Sequence, residues 1–319
     1  MQPTYYSASE IAAGIGFLPL IEHLRRAHQL PSPAVERVLM QHKLESGTEN
    51  GFLIWPAWQH GKNLGIKICT LFPENKRVPA VQALYVLFDG QDGSIQSLID
   101  GTELTYWKTA ADSALGADIL ARQNAKSFLM VGAGNLAPFM IRAYRAIRPG
   151  LKKIMLWNRT PEKAHALAKS MEPDVQIQVV SDLAEAVQQA DIVCCATTSY
   201  APLIHGKWLQ AGAHLDLIGG YTPDMREADD EAVKRARVFV DSRRFTVAHV
   251  GDLMQPIANG VITASDVLGD LFDLASARCE GRVQATDITL FKSGGGAHLD
   301  LMSAQYIAQA LAADGTSPA

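Results

Sequence analysis

Two glycines separated by one residue, with an alanine three positions further on, form the sharpest local signal in the chain. Gly132-Ala133-Gly134-Asn135-Leu136-Ala137 directly follows the apolar run Phe128–Val131 and leads into Pro138, a residue suited to the first turn of a helix. In this G-x-G-x-x-A form the first glycine makes a tight turn, the second lets backbone approach a pyrophosphate, and the alanine permits close helix–strand packing. Phosphates would sit at the helix N-terminus, where unpaired N–H groups and the helix dipole favour anions. With a strand before it, a helix after it and a second strand at the right distance, the pattern predicts a dinucleotide site rather than a purely structural turn. Gly132, Gly134, Asn135 and Leu136 are its candidate contacts.

The tip of the second strand predicts which dinucleotide. NAD needs a carboxylate there for its ribose hydroxyls, but the sequence reads Trp157-Asn158-Arg159-Thr160. A guanidinium and a hydroxyl match a 2′-phosphate, so NADPH is expected as cofactor and NADH is disfavoured. Thr160 also reads as a helix N-cap before Pro161, a role compatible with holding an anion.

Two lysines stand out. Lys108 opens the small-residue run Lys108-Thr109-Ala110-Ala111-Asp112-Ser113, read as a helix start, where a cation opposes the macrodipole. It is either solvated at a frayed end or faced by an anion. Lys67 lies within the strand-like run Leu64–Leu71 and points away from the face of Ile66 and Ile68, as an exposed edge residue or a site residue.

The elements that must position these groups follow from hydrophobic patterning. Of 319 residues, 48% are hydrophobic and 19% charged, with a net charge of −4, so the chain is expected to fold throughout and offers no field for nucleic acid or anionic lipid. The four cysteines show no metal-type spacing and no metal is expected; adjacent Cys194 and Cys195 read as strand core, which suits a reducing compartment. No basic leader followed by an apolar stretch and no long apolar span is present, so neither export nor membrane insertion is expected, and the cytoplasm is the predicted location. A capping box, Ser7 with Glu10, begins a helix predicted to run through Leu24. Short β-type runs follow at Gly51–Trp55, Leu64–Leu71, Leu84–Phe88 and Ile95–Ile99, the last two flanking a hairpin signal. From Thr105 a helix leads into strand–helix alternation, with strands at Ser127–Val131, Lys153–Trp157, Val175–Val180, Ile192–Ala196, His214–Ile218, Val238–Asp241 and Ile288–Phe291. This predicts an α/β fold with a doubly wound, Rossmann-type parallel sheet. A closing helix near Leu299–Leu311 is expected to pack back on the N-terminal part, and 312–319 reads as a disorder-like tail.

The blocks LGIKI at 64–68, KTAADSALGADILA at 108–121, GAGNLAP at 132–138, WNRT at 157–160, IGGYTPDMRE at 218–227 and FKSGGGAHLDLMSA at 291–304 resemble, in that order, the ornithine cyclodeaminase/μ-crystallin family. The resemblance implies an α+β dimerisation and substrate domain over 1–118 and 301–319, a Rossmann domain over 119–300, and a homodimer. It places Lys67 at the substrate carboxylate and reacting nitrogen as the catalytic group. Lys108 stands where the family has an arginine clamp, so the charge is kept and the bidentate fork is lost. Arg37 is the candidate for a further upstream arginine, with His42 or Lys43 as alternatives. Gln82, Thr109, Thr197, Thr198, Ile218, Tyr221 and Ser293 fall at cofactor positions, and Gly294 at the substrate carboxylate. Where cyclodeaminases and alanine dehydrogenases carry an aspartate, this chain has Tyr221, either as a loop aromatic over the nicotinamide pocket or in proton delivery; Asp224 or Asp216 are alternative acids. The implied activity is NADPH-dependent reduction of a cyclic ketimine acid, Δ1-pyrroline-2-carboxylate or Δ1-piperideine-2-carboxylate. Ornithine cyclodeaminase and a μ-crystallin-like NADPH-binding protein are the alternatives.

Overall fold

A computed structural model describes residues 3–313 except 172 and 174. The tail expected at 312–319 lies outside the described residues from 314 onward. The chain forms two compact units, one of residues up to Lys108 together with those from Gly296 onward, the other Thr109–Gly295.

The first unit is built on seven strands: β1 (Thr4–Tyr6), β2 (Ala34–Val35), β3 (Val38–Lys43), β4 (Glu49–Gln59), β5 (Asn63–Leu71), β6 (Val81–Asp89) and β7 (Ile95–Asp100). Their order is β1-β7-β6-β5-β4-β2, with β3 also pairing β4; β1 joins β7 in parallel and the other pairs are antiparallel. Gly93 turns β6 into β7 at φ 75°, as the Gly/Asp-rich hairpin signal predicted. Strand alternation sends Gly65, Lys67 and Cys69 of β5 to the same face as Tyr85 and Leu87 of β6. The C-terminal helix Ala297–Ala313 packs on β4, β5 and β6, and apolar residues on nearly every side of it are buried. The opposite face carries half-buried Ile66 and Ile68 and exposed Phe52 and Trp58.

The structure corrects several expectations. The Ser7 capping box is present, but the helix it starts ends early: α1 is Ala8–Gly14 and α2 is Phe17–His28, with Ile15 extended between them. Gly14 lies against the Leu311 side chain, which a Cβ there would displace, and Gly16 caps α2, so two glycines break one apolar period. Strands β1, β2 and β3 were not expected, being two or three residues long or, in β3, mostly exposed. Helix α3 spans Gly101–Leu120 and starts earlier than Thr105, because Asp100 accepts from the N–H groups of Thr102 at 3.0 Å and Glu103 at 2.8 Å. Lys108 is therefore the eighth helical residue, too far from the N-terminus to oppose the dipole.

The second unit contains β8 (Ser127–Val131), β9 (Lys153–Trp157), β10 (Ile177–Val179), β11 (Ile192–Cys195), β12 (His214–Leu217), β13 (Ala236–Val240), β14 (Val267–Asp270) and β15 (Ile288–Lys292). All pairs are parallel, in the order β10-β9-β8-β11-β12-β15-β13-β14, so the chain reverses direction across the sheet between β8 and β11. Among the strands, only β14 was not anticipated. Cys194 and Cys195 are buried free thiols of β11, as strand core requires. No helix among the described residues is long and apolar enough to cross a membrane.

Helix α4 (Ala137–Ile147) ends at Arg148, which is 3% exposed. Its guanidinium pairs with Asp118 and donates to the carbonyls of Asp118 at 2.9 Å and of Ala117 and Ala121 at 3.3 Å, satisfying the last turn of α3. Arg148→Met should cost about 3 kcal/mol of stability by leaving Asp118 and these carbonyls without partners. Denaturant unfolding checks this, and an unchanged midpoint would show that the cap contributes nothing.

Candidate active site

The glycine turn in the second unit has the geometry a dinucleotide needs. Gly132 adopts φ 110° and donates to the Trp157 carbonyl at 2.9 Å; a Cβ there would lie 2.5 Å from the Ala196 carbonyl oxygen. Gly134 is exposed with open space beside it, the clearance a pyrophosphate requires. Leu136 is the N-cap of α4, Asn135 is exposed beside it, and Ala137 is buried. A cavity of about 260 Å³ is lined by Gly132, Gly134, Asn158, Arg159, Thr160, Lys163, Thr197 and Thr198, and no carboxylate lines it. Asn158 holds the wall together: its Oδ1 accepts from Ala133 N–H at 3.1 Å and its Nδ2 donates to the Thr160 carbonyl at 2.8 Å. Thr160 is the expected N-cap of helix Pro161–Ser170, yet its hydroxyl makes no capping bond there. Lys163 escaped the sequence analysis; its signal was its place in the first helical turn after Arg159.

In the first unit, Lys67 lies on β5 between β4 and β6, not at an edge, and is 6% exposed. Its Nζ is 2.8 Å from Asp300 Oδ2, and Lys108 Nζ is 3.8 Å from Asp300 Oδ1. Asp300 is fully buried in the first turn of the C-terminal helix, where the helix dipole favours an acid. It too escaped the sequence analysis, although it is the one acid in the buried block AHLDLMSA. The Trp55 ring brings a further cation into the cluster, with Lys67 Nζ 5.2 Å and the Arg37 guanidinium 5.9 Å from its centroid. Strand register separates the three upstream candidates: His42 pairs with Asn50 and Lys43 with Glu49, whereas Trp55 pairs with Lys67. Arg37 is the one placed at the Trp55 ring beside which Lys67 lies. Gly65 leaves room for the Tyr85 ring, whose carbons would come within 2.7 Å of a Cβ. Burial keeps His28, lowered to about 4, and His298 neutral, so the positive charge beside Asp300 belongs to the lysines. Gln82 is exposed and, three residues before Tyr85, faces the other side of the sheet from Lys67.

The loops after the second unit's strands hold the remaining candidates. Thr197 and Ile218 are tied to buried Glu227, whose Oε1 accepts from Thr197 N–H at 2.6 Å and whose Oε2 accepts from Ile218 N–H at 3.0 Å. Ser293 donates to Asp112 at 3.2 Å, and Gly294 N–H donates to Asp241 at 2.9 Å. Thr109 is half-buried on α3. Tyr221 is 64% exposed, and Asp224 accepts from the Thr222 hydroxyl in the same exposed turn. Asp216 is fully buried inside β12, accepting from the Tyr144 hydroxyl at 2.6 Å and the Ser113 hydroxyl at 3.3 Å.

A doubly wound sheet with a phosphate turn, joined to a unit that buries two lysines on one carboxylate, defines a dinucleotide-dependent protein of amino- or imino-acid chemistry. Residues 17–315 match the Ornithine cyclodeaminase/mu-crystallin family, and the chain belongs to it. It is 42% identical over 314 residues to the Delta(1)-pyrroline-2-carboxylate reductase of Paracoccus denitrificans (strain Pd 1222), covering 97% of this chain and 98% of that one. The enzyme of the same name from Colwellia psychrerythraea (strain 34H / ATCC BAA-681) is 34% identical over 313 residues, covering 96% and 98%. The solved structure of Thermococcus litoralis Delta(1)-pyrroline-2-carboxylate reductase in complex with NADH and L-proline is similar at a TM-score of 0.90 and 28% identity, over 99% of each chain.

Burial raises the Asp216 carboxyl from 3.8 to about 7, and the hydrogen bonds from Tyr144 and Ser113 oppose this in part. The folded chain thus keeps a proton there that the unfolded chain loses near pH 4, and this group subtracts stability as pH rises through that window. Asp216→Asn keeps an acceptor for Tyr144 and should gain in melting temperature relative to the unsubstituted protein between about pH 5 and 8. A constant difference across that range in parallel melts would contradict the raised value.

Proposed function

We propose that this chain is a reductase of cyclic ketimine acids, converting Δ1-pyrroline-2-carboxylate or Δ1-piperideine-2-carboxylate to L-proline or L-pipecolate with NADPH. The Lys67–Asp300–Lys108 cluster carries the reading. Lys67 and Lys108 both reach the buried Asp300 carboxylate, and a substrate carboxylate is the anion that two such ammonium groups would receive. Asp300 fixes the direction of the Lys67 ammonium, leaving its other donors for the carboxylate and the adjacent imine nitrogen. A proton or hydrogen bond at that nitrogen makes C2 electrophilic. The reduced nicotinamide, when bound, supplies the hydride for C2. The relatives named above support the same substrate class.

The 2′-phosphate reading rests on Arg159, Thr160 and Lys163, three donors on a cavity wall with no lining carboxylate. The Thermococcus litoralis enzyme was solved in complex with NADH, so the family relationship itself carries no preference for NADPH, and the reading rests on this wall alone. Homodimer formation is supported by the apolar sheet face where Val35, Pro56, Trp58, Leu64, Ile66 and Phe88 line one depression, a surface suited to the same face of a second copy. Buried free cysteines in strands suit the cytoplasm.

Incubation with Δ1-pyrroline-2-carboxylate should consume NADPH much faster than NADH; ammonia release from ornithine without such consumption would instead identify a cyclodeaminase. Lys67→Met should lower kcat by about a hundredfold or more, and unchanged turnover with a slightly raised KM would remove Lys67 from the chemistry. Arg159→Ala should reduce the NADPH-over-NADH ratio of kcat/KM by about tenfold, chiefly through KM for NADPH. An unchanged ratio would refute the phosphate reading.

A further inference from the structure

Glu227 and Asp252 are fully buried carboxylates to which neither the sequence analysis nor the proposed chemistry gives a role. Glu227 sits between two loops. Its Oε1 accepts from Thr197 N–H at 2.6 Å and the Thr197 hydroxyl at 2.8 Å, on the loop that follows β11. Its Oε2 accepts from Ile218 N–H at 3.0 Å and Gly219 N–H at 2.7 Å, on the loop that follows β12. One carboxylate therefore uses both oxygens to join the ends of two neighbouring parallel strands. Its own backbone is held in turn, because Asp252 Oδ1 accepts from Glu227 N–H at 2.8 Å and Ala228 N–H at 3.3 Å. Asp252 Oδ2 is 3.2 Å from the Nζ of Lys292, buried on β15.

The paired glycines of IGGY follow from this arrangement. A Cβ at position 219 would overlap the Thr197 backbone and come within 2.6 Å of Glu227 Oε1; one at position 220 would lie 2.6 Å from Asp252 Oδ2. The two loops approach so closely that only side-chain-free backbone fits over the two carboxylates. The Thr197 loop also meets the phosphate turn, since Ala196 carbonyl oxygen is the atom a Cβ on Gly132 would strike.

In a doubly wound sheet the ligand lies outside the carboxyl ends of the strands at the point where strand order reverses, here between β8 and β11. With the pyrophosphate over Gly132 and Gly134 and the adenosine toward Arg159, the nicotinamide half falls on the β11/β12 side. The geometry points to Glu227 as a positioning residue that braces the floor of the nicotinamide half-site, anchored by Asp252 and Lys292, while leaving the adenosine half-site to Asn158. This rests on the cofactor reading given above. Glutamine at 227 would turn an NH2 donor toward N–H donors, and one loop would lose its acceptor.

Two ligands separate the half-sites. Adenosine 2′,5′-bisphosphate occupies the adenosine half alone, and NADPH occupies both. Fluorescence or calorimetric titration of Glu227→Gln should show NADPH affinity weakened about tenfold or more, with adenosine 2′,5′-bisphosphate affinity kept within about twofold. Glu227→Asp, which keeps the charge on a shorter arm, should restore part of the loss. If Glu227→Gln fails to fold, Gly219→Ala carries the same test, because its Cβ forces the Thr197 and Gly219 loops apart and presses on Glu227 Oε1 while leaving every charge in place. Equal weakening of both ligands, or NADPH affinity unchanged in a folded variant, would overturn the positioning role. An unsubstituted protein that binds neither ligand would overturn the cofactor reading itself, and this inference with it.

Discussion

The buried ion pair between Lys67 and Asp300 ties a central strand of the first unit to the C-terminal helix. An isolated ammonium or carboxylate out of water is so costly that each requires the other, and 2.8 Å in a buried setting leaves little tolerance. Lys67 reaches that position because strand alternation turns it to the covered face of a central strand. Asp300 reaches it only because the C-terminal helix packs on the sheet formed by the first hundred residues. The discontinuity of the first unit is thus a consequence of chemistry: its charge cluster takes one lysine from a strand, one from α3 and its counter-ion from the far end of the chain.

The second unit uses acids differently, as acceptors for backbone N–H groups where strands give way to loops. Asp191 accepts from Lys126 and Ser127, Asp241 from Ser242, Gly294 and Gly295, and Glu227 from Thr197, Ile218 and Gly219. Loops that carry function expose orphan donors, and a carboxylate is the side chain that can accept several at once. The cost appears in titration. Burial pushes Glu227 and Asp216 upward, and Lys292 opposes the rise at both. Rigidity at the strand ends comes from these satisfied networks, and glycines such as Gly219, Gly220 and Gly294 follow wherever the backbone must pass over a carboxylate or a threonine.

What the sequence made legible was whatever local pattern dictates. The Gly132–Ala137 turn, the alternation of strands and helices and the hairpin at Gly93 each depend on residues close together in the chain, and each stands in the structure; Thr160 holds the N-cap position without the capping bond. Helix α1 and α2 were read as one because hydrophobic spacing continues across Ile15 while the backbone does not. Lys108 was placed at a helix start because the capping carboxylate, Asp100, lies at the end of a strand. Asp300 and Glu227 stayed silent for a different reason: a buried acid is recognised by its partners, and those partners are 233 positions away for Lys67 and 30 for Thr197. No local period encodes such a pairing.

The lysine at position 108 shows how far the charge argument reaches. The family resemblance sets an arginine there, whose planar fork grips a carboxylate through two parallel bonds. A lysine 3.8 Å from Asp300 contributes charge without that fork. Direction in this cluster resides instead in the Lys67 ammonium held by Asp300 and in the Trp55 ring, which lies near both Lys67 and Arg37. Under the proposed function, lysine at 108 leaves the orientation of the substrate to these groups.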